Sequence, residues 1–236
     1  MKLIIKNLNK NFEKKKVLQG INFEFEEGKI YGLLGRNGAG KTTFFNCINN
    51  DIPVDSGEFL LSDGEKASKL ELEDIGYVLS TPTVPEFLTG REFLKFFLDI
   101  NKKNIKDIKT IDEYFDFIKI DKDDRNKLLK DYSHGMKNKM QMLINIIANP
   151  KVLLLDEPLT SLDVVVAEEM KQLLKQIKKD HIIIFSTHIM ELALSLCDEI
   201  VLLNHGVLEE IDSNNLSEEA LKEKILDSLK EEVTNA

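Results

Sequence analysis

The sequence predicts an α/β fold with a parallel sheet, a phosphate-binding loop, a strand-rich N-terminal part and a helical stretch in the middle. Three observations predict it. First, Gly35-Arg36-Asn37-Gly38-Ala39-Gly40-Lys41-Thr42-Thr43 reads G-x-x-x-x-G-K-[ST] between the strand-like Ile30-Tyr31-Gly32-Leu33-Leu34 and the helix-like Phe44-Phe45-Asn46-Cys47-Ile48. Second, after Pro150 the apolar runs Val152-Leu153-Leu154-Leu155, Ile182-Ile183-Ile184-Phe185 and Ile200-Val201-Leu202-Leu203 alternate with helical patterns. Continuous apolar runs separated by helices mark parallel strands covered on both faces. Third, residues 91–148 have a helical texture, whereas the first 80 are rich in short alternating runs and turns.

The loop motif carries its own chemistry. Its glycines let the backbone turn tightly, so that successive N–H groups point inward at an anion. A helix starting near Lys41 brings unpaired N–H groups and the positive end of its dipole to the same place. Lys41 is placed to reach terminal phosphates, and the Thr42 hydroxyl to hold a magnesium ion.

Composition bounds the rest. The 236 residues are enough to bury a substantial core, and 42% hydrophobic with 31% charged residues is ordinary for a globular protein. A net charge of −9 and a pI near 5.1 argue against broad nucleic-acid binding, which needs many Lys and Arg contacts to phosphates. Cys47 and Cys197 are too few for a disulfide framework. No signal peptide opens the chain, and no stretch approaches the ~20 apolar residues of a membrane span. The chain is therefore expected in the cytoplasm, with membrane contact only through a partner.

Taken in order, residues 2–8 read as a strand, and Ile21-Asn22-Phe23-Glu24-Phe25-Glu26 alternates as a half-buried strand does. A helix runs from residue 41 towards 50, a short strand covers 58–61, Ser62-Asp63-Gly64 turns, and 75–79 reads as a buried strand. Phe93, Leu94, Phe97 and Leu98 share a helical face; Ile108, Ile111 and Phe115 suggest a second helix and residues 136–147 a third. Asp121-Lys122-Asp123-Asp124-Arg125 reads as a solvated loop or helix start. Helices are expected over 164–177 and 189–196. Over residues 211–236, Leu221, Ile225 and Leu229 form the stripe of an amphipathic terminal helix, packed on the body or on a partner.

In such sheets ligands sit outside the carboxyl ends of strands. Besides the phosphate loop, Ser80, Asp156-Glu157 and Ser186-Thr187-His188 fall at strand ends. A carboxylate ending the apolar run at Asp156 is costly unless paired or holding a metal, and beside a phosphate loop the economical role is magnesium. Glu157 is the adjacent acid, able to polarise a water for attack on a γ-phosphate.

The whole set, in this order, resembles the nucleotide-binding domain of ATP-binding cassette transporters over about residues 1–210. Gly35 to Thr43 matches the Walker A motif, and Tyr132-Ser133-His134-Gly135-Met136 is similar to the signature Leu-Ser-Gly-Gly-Gln. Residues 152–156 match Walker B, with Glu157 as catalytic glutamate; Ser161-Leu162-Asp163 matches the D-loop, and His188 the switch histidine. Phe12 stands where an aromatic stacks on adenine. The resemblance implies a P-loop nucleoside triphosphate hydrolase core (residues 1–85 and 150–210), a strand-rich N-terminal edge and an inserted helical subdomain (86–149). It implies ATP and magnesium as ligands, with Thr42, Asp156 and Ser80 around the metal. It also implies that Ser133, Gly135 and Asp163 serve the ATP of a second ATP-binding subunit, so that two ATPs are sandwiched in a homodimer or heterodimer.

Two departures stand out. His134 and Met136 replace the signature's first Gly and its Gln, while Ser133 and Gly135 are kept. Ser80 stands where the family usually has a glutamine that helps hold magnesium and links the site to the membrane partner; this bears on hydrolysis rate rather than on ATP binding. The resulting expectation is the ATPase subunit of a membrane transporter, an exporter by its likeness to subunits with His in the signature. It would sit peripherally on the cytoplasmic face of the membrane, with the permease on a separate chain. The rivals are a weakly hydrolysing regulatory subunit and a cassette ATPase of translation or DNA repair. Those last types carry two cassettes or a long coiled-coil insert, neither of which is found in these 236 residues.

Overall fold

Two sheets carry the fold, seen in a computed structural model that describes residues 1–13, 15–102, 105, 109–160, 162–211 and 218–230, without the side chains of 218 and 228–230. Ile108, Ser161 and the side chain of Leu229 thus lie outside the described residues. The first sheet is antiparallel. β1 (Lys2–Phe12) and β2 (Lys15–Glu26) form a long hairpin, and β4 (Ser56–Ser62) and β5 (Ala67–Lys69) extend it in the order β2-β1-β4-β5. One face of the β1–β2 hairpin turns inward, burying Leu3, Ile5, Leu8, Leu18, Ile21 and Phe25.

The second sheet contains β3 (Ile30–Leu34), β6 (Ile75–Val78), β7 (Val152–Asp156), β8 (Ile182–Thr187), β9 (Glu199–Asn204) and β10 (Val207–Ile211). Its order is β10-β9-β3-β8-β7-β6; all pairs are parallel except the β9–β10 hairpin. Every residue of β3, β7 and β8 is buried, the physical origin of the unbroken apolar runs. One face packs on α1 (Lys41–Ile48) and the antiparallel sheet, through Phe25, Tyr31, Phe44, Leu154 and Ile184 among others. The other face packs on α2 (Gly90–Asn101), α3 (Ile111–Phe117), α4 (His134–Ala148) and α5 (Val164–Ile177).

Local sequence explains where these helices begin. Thr89 and Thr110 open α2 and α3 with reciprocal capping boxes to Glu92 and Glu113. Ser133 caps α4 and Asp163 caps α5, the latter accepting from the N–H groups of Val165 and Val166, each at 3.0 Å. α6 (Met190–Leu196) and α7 (Glu218–Lys230) are the last two helices among the described residues. Leu221 and Ile225 of α7 pack with Leu34, Ala193, Ile200, Leu202 and Ile211, so the terminal helix is bound to the body.

The structure departs from the sequence reading in several places, among them the start of β2 at Lys15 and the unread strand β5. β1 runs on to Phe12 because its hairpin with β2 continues through the Phe12–Lys15 pair. β6 stops at Val78, leaving Leu79 exposed. Ile211 ends β10 rather than belonging to the terminal helix, because it pairs with Ile200. Arg125 is buried, not solvated. It donates to the Ile120 carbonyl at 3.1 Å, pairs with Asp112 at 3.0 Å and with Asp116, and stacks 5.4 Å from the Phe115 ring centre.

Ile225 is wholly buried in the small cluster under α7. Ile225→Ala is expected to destabilise the chain by about 2–5 kcal/mol, lowering the melting temperature of a single transition. An unchanged melting temperature would mean that α7 is not part of the cooperative unit.

Candidate nucleotide site

The parallel arrangement brings three strand ends to one edge. Leu34 at the end of β3 pairs with Thr187, and Asp156 at the end of β7 pairs with Ser186. The phosphate loop follows β3. Gly38 (φ +84°) and Gly40 (φ +108°) hold left-handed backbone, and a Cβ on Gly40 would lie 2.9 Å from Val17. Gly40 then caps α1 with no side chain of its own, so no side chain of the cap satisfies the first-turn N–H groups. Gly35 packs close under the loop, where an added Cβ would approach the Leu203 carbonyl to 3.0 Å.

Lys41 is the cation of this cradle. Only 6% exposed, its Nζ donates to the carbonyls of Gly35 at 2.8 Å and Arg36 at 3.3 Å, with Glu157 Oε1 at 3.7 Å. Burial lowers its pKa, opposed by the nearby carboxylates of Glu157 and Asp156. Two of its three donors are thus spent on the loop itself.

Asp156 is 5% exposed and receives a hydroxyl on each oxygen: Thr42 Oγ1 donates to Oδ2 at 2.9 Å and Ser186 Oγ to Oδ1 at 2.6 Å. Ser186 also accepts the backbone N–H of Glu157 at 3.0 Å. That contact occurs because Glu157 leaves the strand with φ +47°, a conformation most residues avoid. The turn aims its carboxylate sideways, where Oε2 lies 3.0 Å from His188 Nδ1 and 3.5 Å from Thr160 Oγ1.

A cavity of about 350 Å³ opens above the loop, lined by Phe12, Lys15, Val17, Asn37, Gly38, Gly40, Lys41, Thr42, Thr43 and Glu157. Phe12 is half exposed, with Lys10 Nζ 5.0 Å from its ring centre. Ala39 closes the loop by donating its N–H to the Arg36 carbonyl at 3.1 Å. The site thus gathers Phe12, residues 35–43, Asp156, Glu157 and His188. Ser133, Gly135 and Asp163 are not among the cavity's lining residues, and Ser80 is exposed just beyond the end of β6. Sequence reasoning missed the double role of the Ser186 hydroxyl and the Lys15 and Val17 walls. A serine following the apolar run of a buried strand was the available signal for the first.

The donor set suits magnesium. Among the described residues no group of three or more His, Cys, Asp and Glu is placed to hold a metal. One hydroxyl and one carboxylate beside a phosphate cradle is what an ion that also takes phosphate oxygens and waters requires.

The sequence pattern of the ABC transporter family matches residues 18–160, more than half of the chain. An uncharacterised ABC transporter ATP-binding protein of Methanocaldococcus jannaschii is 34% identical over 207 residues, covering 87% of this chain and 75% of that one. A lantibiotic transport ATP-binding protein of Streptococcus pyogenes is 29% identical over 228 residues, covering 95% and 97%. Among solved structures, the ATP-binding subunit of an ABC transporter superimposes with a TM-score of 0.77 at 21% identity, over 96% of this chain and all of that one. A dimeric ATP-binding cassette bound to ADP and phosphate gives 0.72 at 22% identity, over 88% and 98%. The chain belongs to the ABC transporter family, as an ATP-binding domain with the P-loop fold and the ATPase activity of that family.

Proposed function

We propose that the chain powers transport through a separate permease by binding and hydrolysing ATP between two ATP-binding subunits. One observation carries the two-subunit reading: the cavity over the phosphate loop is lined by Walker A residues and Glu157, but not by Ser133 or Gly135. Those signature residues open a 15-residue helix, whose N-terminal N–H groups are suited to a phosphate held by another subunit. The dimeric relative with ADP and phosphate supports the same arrangement. Among the described residues no helix is long and apolar enough to cross a membrane, so membrane attachment is assigned to the permease. We take transport to be outward, from the His134 signature that resembles exporter subunits.

In this reading Phe12 stacks on the adenine, and the loop N–H groups with Lys41 bind the phosphates. Thr42 and Asp156 would hold magnesium, which neutralises phosphate charge when bound, with Ser80 adjoining through water. Ser186 holds Asp156 through Oδ1, independently of the Thr42 hydroxyl on Oδ2. Glu157 accepts the proton of the attacking water, and His188 holds its Oε2 in place.

Three outcomes test this. Lys41→Ala removes the cradle's buried ammonium; since charged hydrogen bonds contribute about 1.5–3 kcal/mol each, Mg-ATP affinity should fall at least about tenfold in calorimetry. Unchanged affinity would refute the phosphate role. Glu157→Gln keeps shape but removes the base, so it should hold ATP and elute as an ATP-dependent dimer in gel filtration. A monomer at saturating Mg-ATP, with or without its partner cassette, would count against the two-subunit site. A regulatory role with weak hydrolysis is the second reading, favoured by the exposed, short Ser80. A bridging water there costs up to about 2 kcal/mol to order, so Ser80→Gln should raise kcat roughly tenfold to thirtyfold with little change in ATP Kd. An equal or lower kcat would show that Ser80 is already matched to the site.

A further inference from the structure

The start of α4 meets α5 through a glycine. Gly135 has no side chain, and a Cβ there would sit only 3.2 Å from Val166 Cγ1. Val166 is in turn one of the two residues whose N–H groups are capped by Asp163. The Ser133–Gly135 corner and the Asp163 corner therefore meet at a smooth surface, where apolar contact gives proximity but little register.

One turn further along, the contact changes character. Lys139 is 6% exposed, and its Nζ donates to Glu169 Oε2 at 2.7 Å and to the Lys119 carbonyl at 3.1 Å. Lys119 follows α3 and holds left-handed backbone at φ +53°. Its own ammonium is 3.7 Å from Glu169 Oε1, on a largely exposed side chain. A single buried ammonium thus joins α4, α5 and the end of α3. Gly135–Val166 and Lys139–Glu169 step the same way along both helices, so the two N-terminal corners lie at the same end.

From this geometry we infer that Lys139 is a positioning residue for the active site formed with a second subunit. It fixes α4 against α5, so that Ser133, Gly135 and Asp163 present one rigid surface to the partner's nucleotide. A directional, desolvated ion pair supplies the register that a glycine contact cannot. The inference rests on the two-subunit reading above.

Methionine is the discriminating substitution. The surroundings of Lys139 include Phe117, Ile118, Met170 and Leu173, which an unbranched apolar chain fits. Glu169 keeps the Lys119 ammonium and some solvent, so Lys139→Met removes the pin without stranding a buried charge. Arginine at the same position keeps donors for both Glu169 and the Lys119 carbonyl.

The experiment compares Glu157→Gln alone with the same protein carrying Lys139→Met or Lys139→Arg. Gel filtration and sedimentation with Mg-ATP report dimerisation, and a fluorescent ATP analogue at low protein concentration reports binding to the monomer. Lys139→Met should weaken the ATP-dependent dimer about tenfold or more, leave monomer binding within about twofold, and be rescued by Lys139→Arg. Dimerisation unaffected by Lys139→Met would overturn the inference and leave the two-subunit reading standing. Equal loss of monomer binding would also overturn it, by showing a general structural role. A Glu157→Gln protein that never dimerises would bring down both readings together.

Discussion

The buried carboxylate of Asp156 is the constraint from which the site follows. Burying an ion costs several kcal/mol even after relaxation, and hydrogen bonds to a charge return about 1.5–3 kcal/mol each. The hydroxyls of Thr42 and Ser186 are therefore requirements of this position, one for each oxygen. Meeting them demands that the first turn of α1 and the ends of β7 and β8 converge at one edge. Parallel pairing of β3, β8 and β7 delivers that convergence, because all three strands finish on the same side.

Glu157 follows from Asp156. Continuing the strand would carry its side chain past the loop, whereas the left-handed turn swings it towards Lys41 and His188. Such a conformation costs on the order of 1–2 kcal/mol and takes the backbone N–H out of the ladder. Ser186 answers the second problem by accepting that N–H with the same oxygen that donates to Asp156. One buried hydroxyl thus sets the relation between the two adjacent acids, which is why β8 carries a polar side chain in a wholly buried run.

What the sequence made legible was whatever is written in local pattern. The apolar runs predicted the parallel strands because burial on both faces leaves no alternation, and the loop spacing located the cradle because its glycines answer a local backbone demand. The capping box of Thr89 with Glu92 is local too, but it went unread in the sequence. Features set by partners distant in the chain were not legible. Arg125 looked solvated among Asp121 to Asp124, yet its burial depends on Asp112 and Asp116 of α3 and on the face of Phe115. Ser186 could be placed at a strand end, but its partners lie 29 and 30 residues away. Lys139 drew no reading of its own, because nothing local announces Glu169.

The attachment of α4 to the end of β6 has the same long-range character. Gln141, 5% exposed, faces the peptide of Leu79. With its amide turned to satisfy both groups, its oxygen accepts the Leu79 N–H at 3.2 Å and its nitrogen donates to the Leu79 carbonyl at 3.3 Å. The side chain thus completes the peptide pairing that β6 loses one residue past Val78, where its ladder with β7 stops. Leu79 is held while its own side chain stays exposed, and Ser80 follows directly from a peptide anchored to α4. Asn145, one turn on, donates to the Gln141 carbonyl at 2.8 Å and lies so close to β6 that a Cβ on Gly76 would come within 3.0 Å of its Oδ1. The seam between α4 and β6 is therefore polar where the rest of the sheet face is apolar. Its hydrogen bonds fix the strand end that carries Ser80 to the helix that begins at the signature, so the position of one corner is specified by the placement of the other.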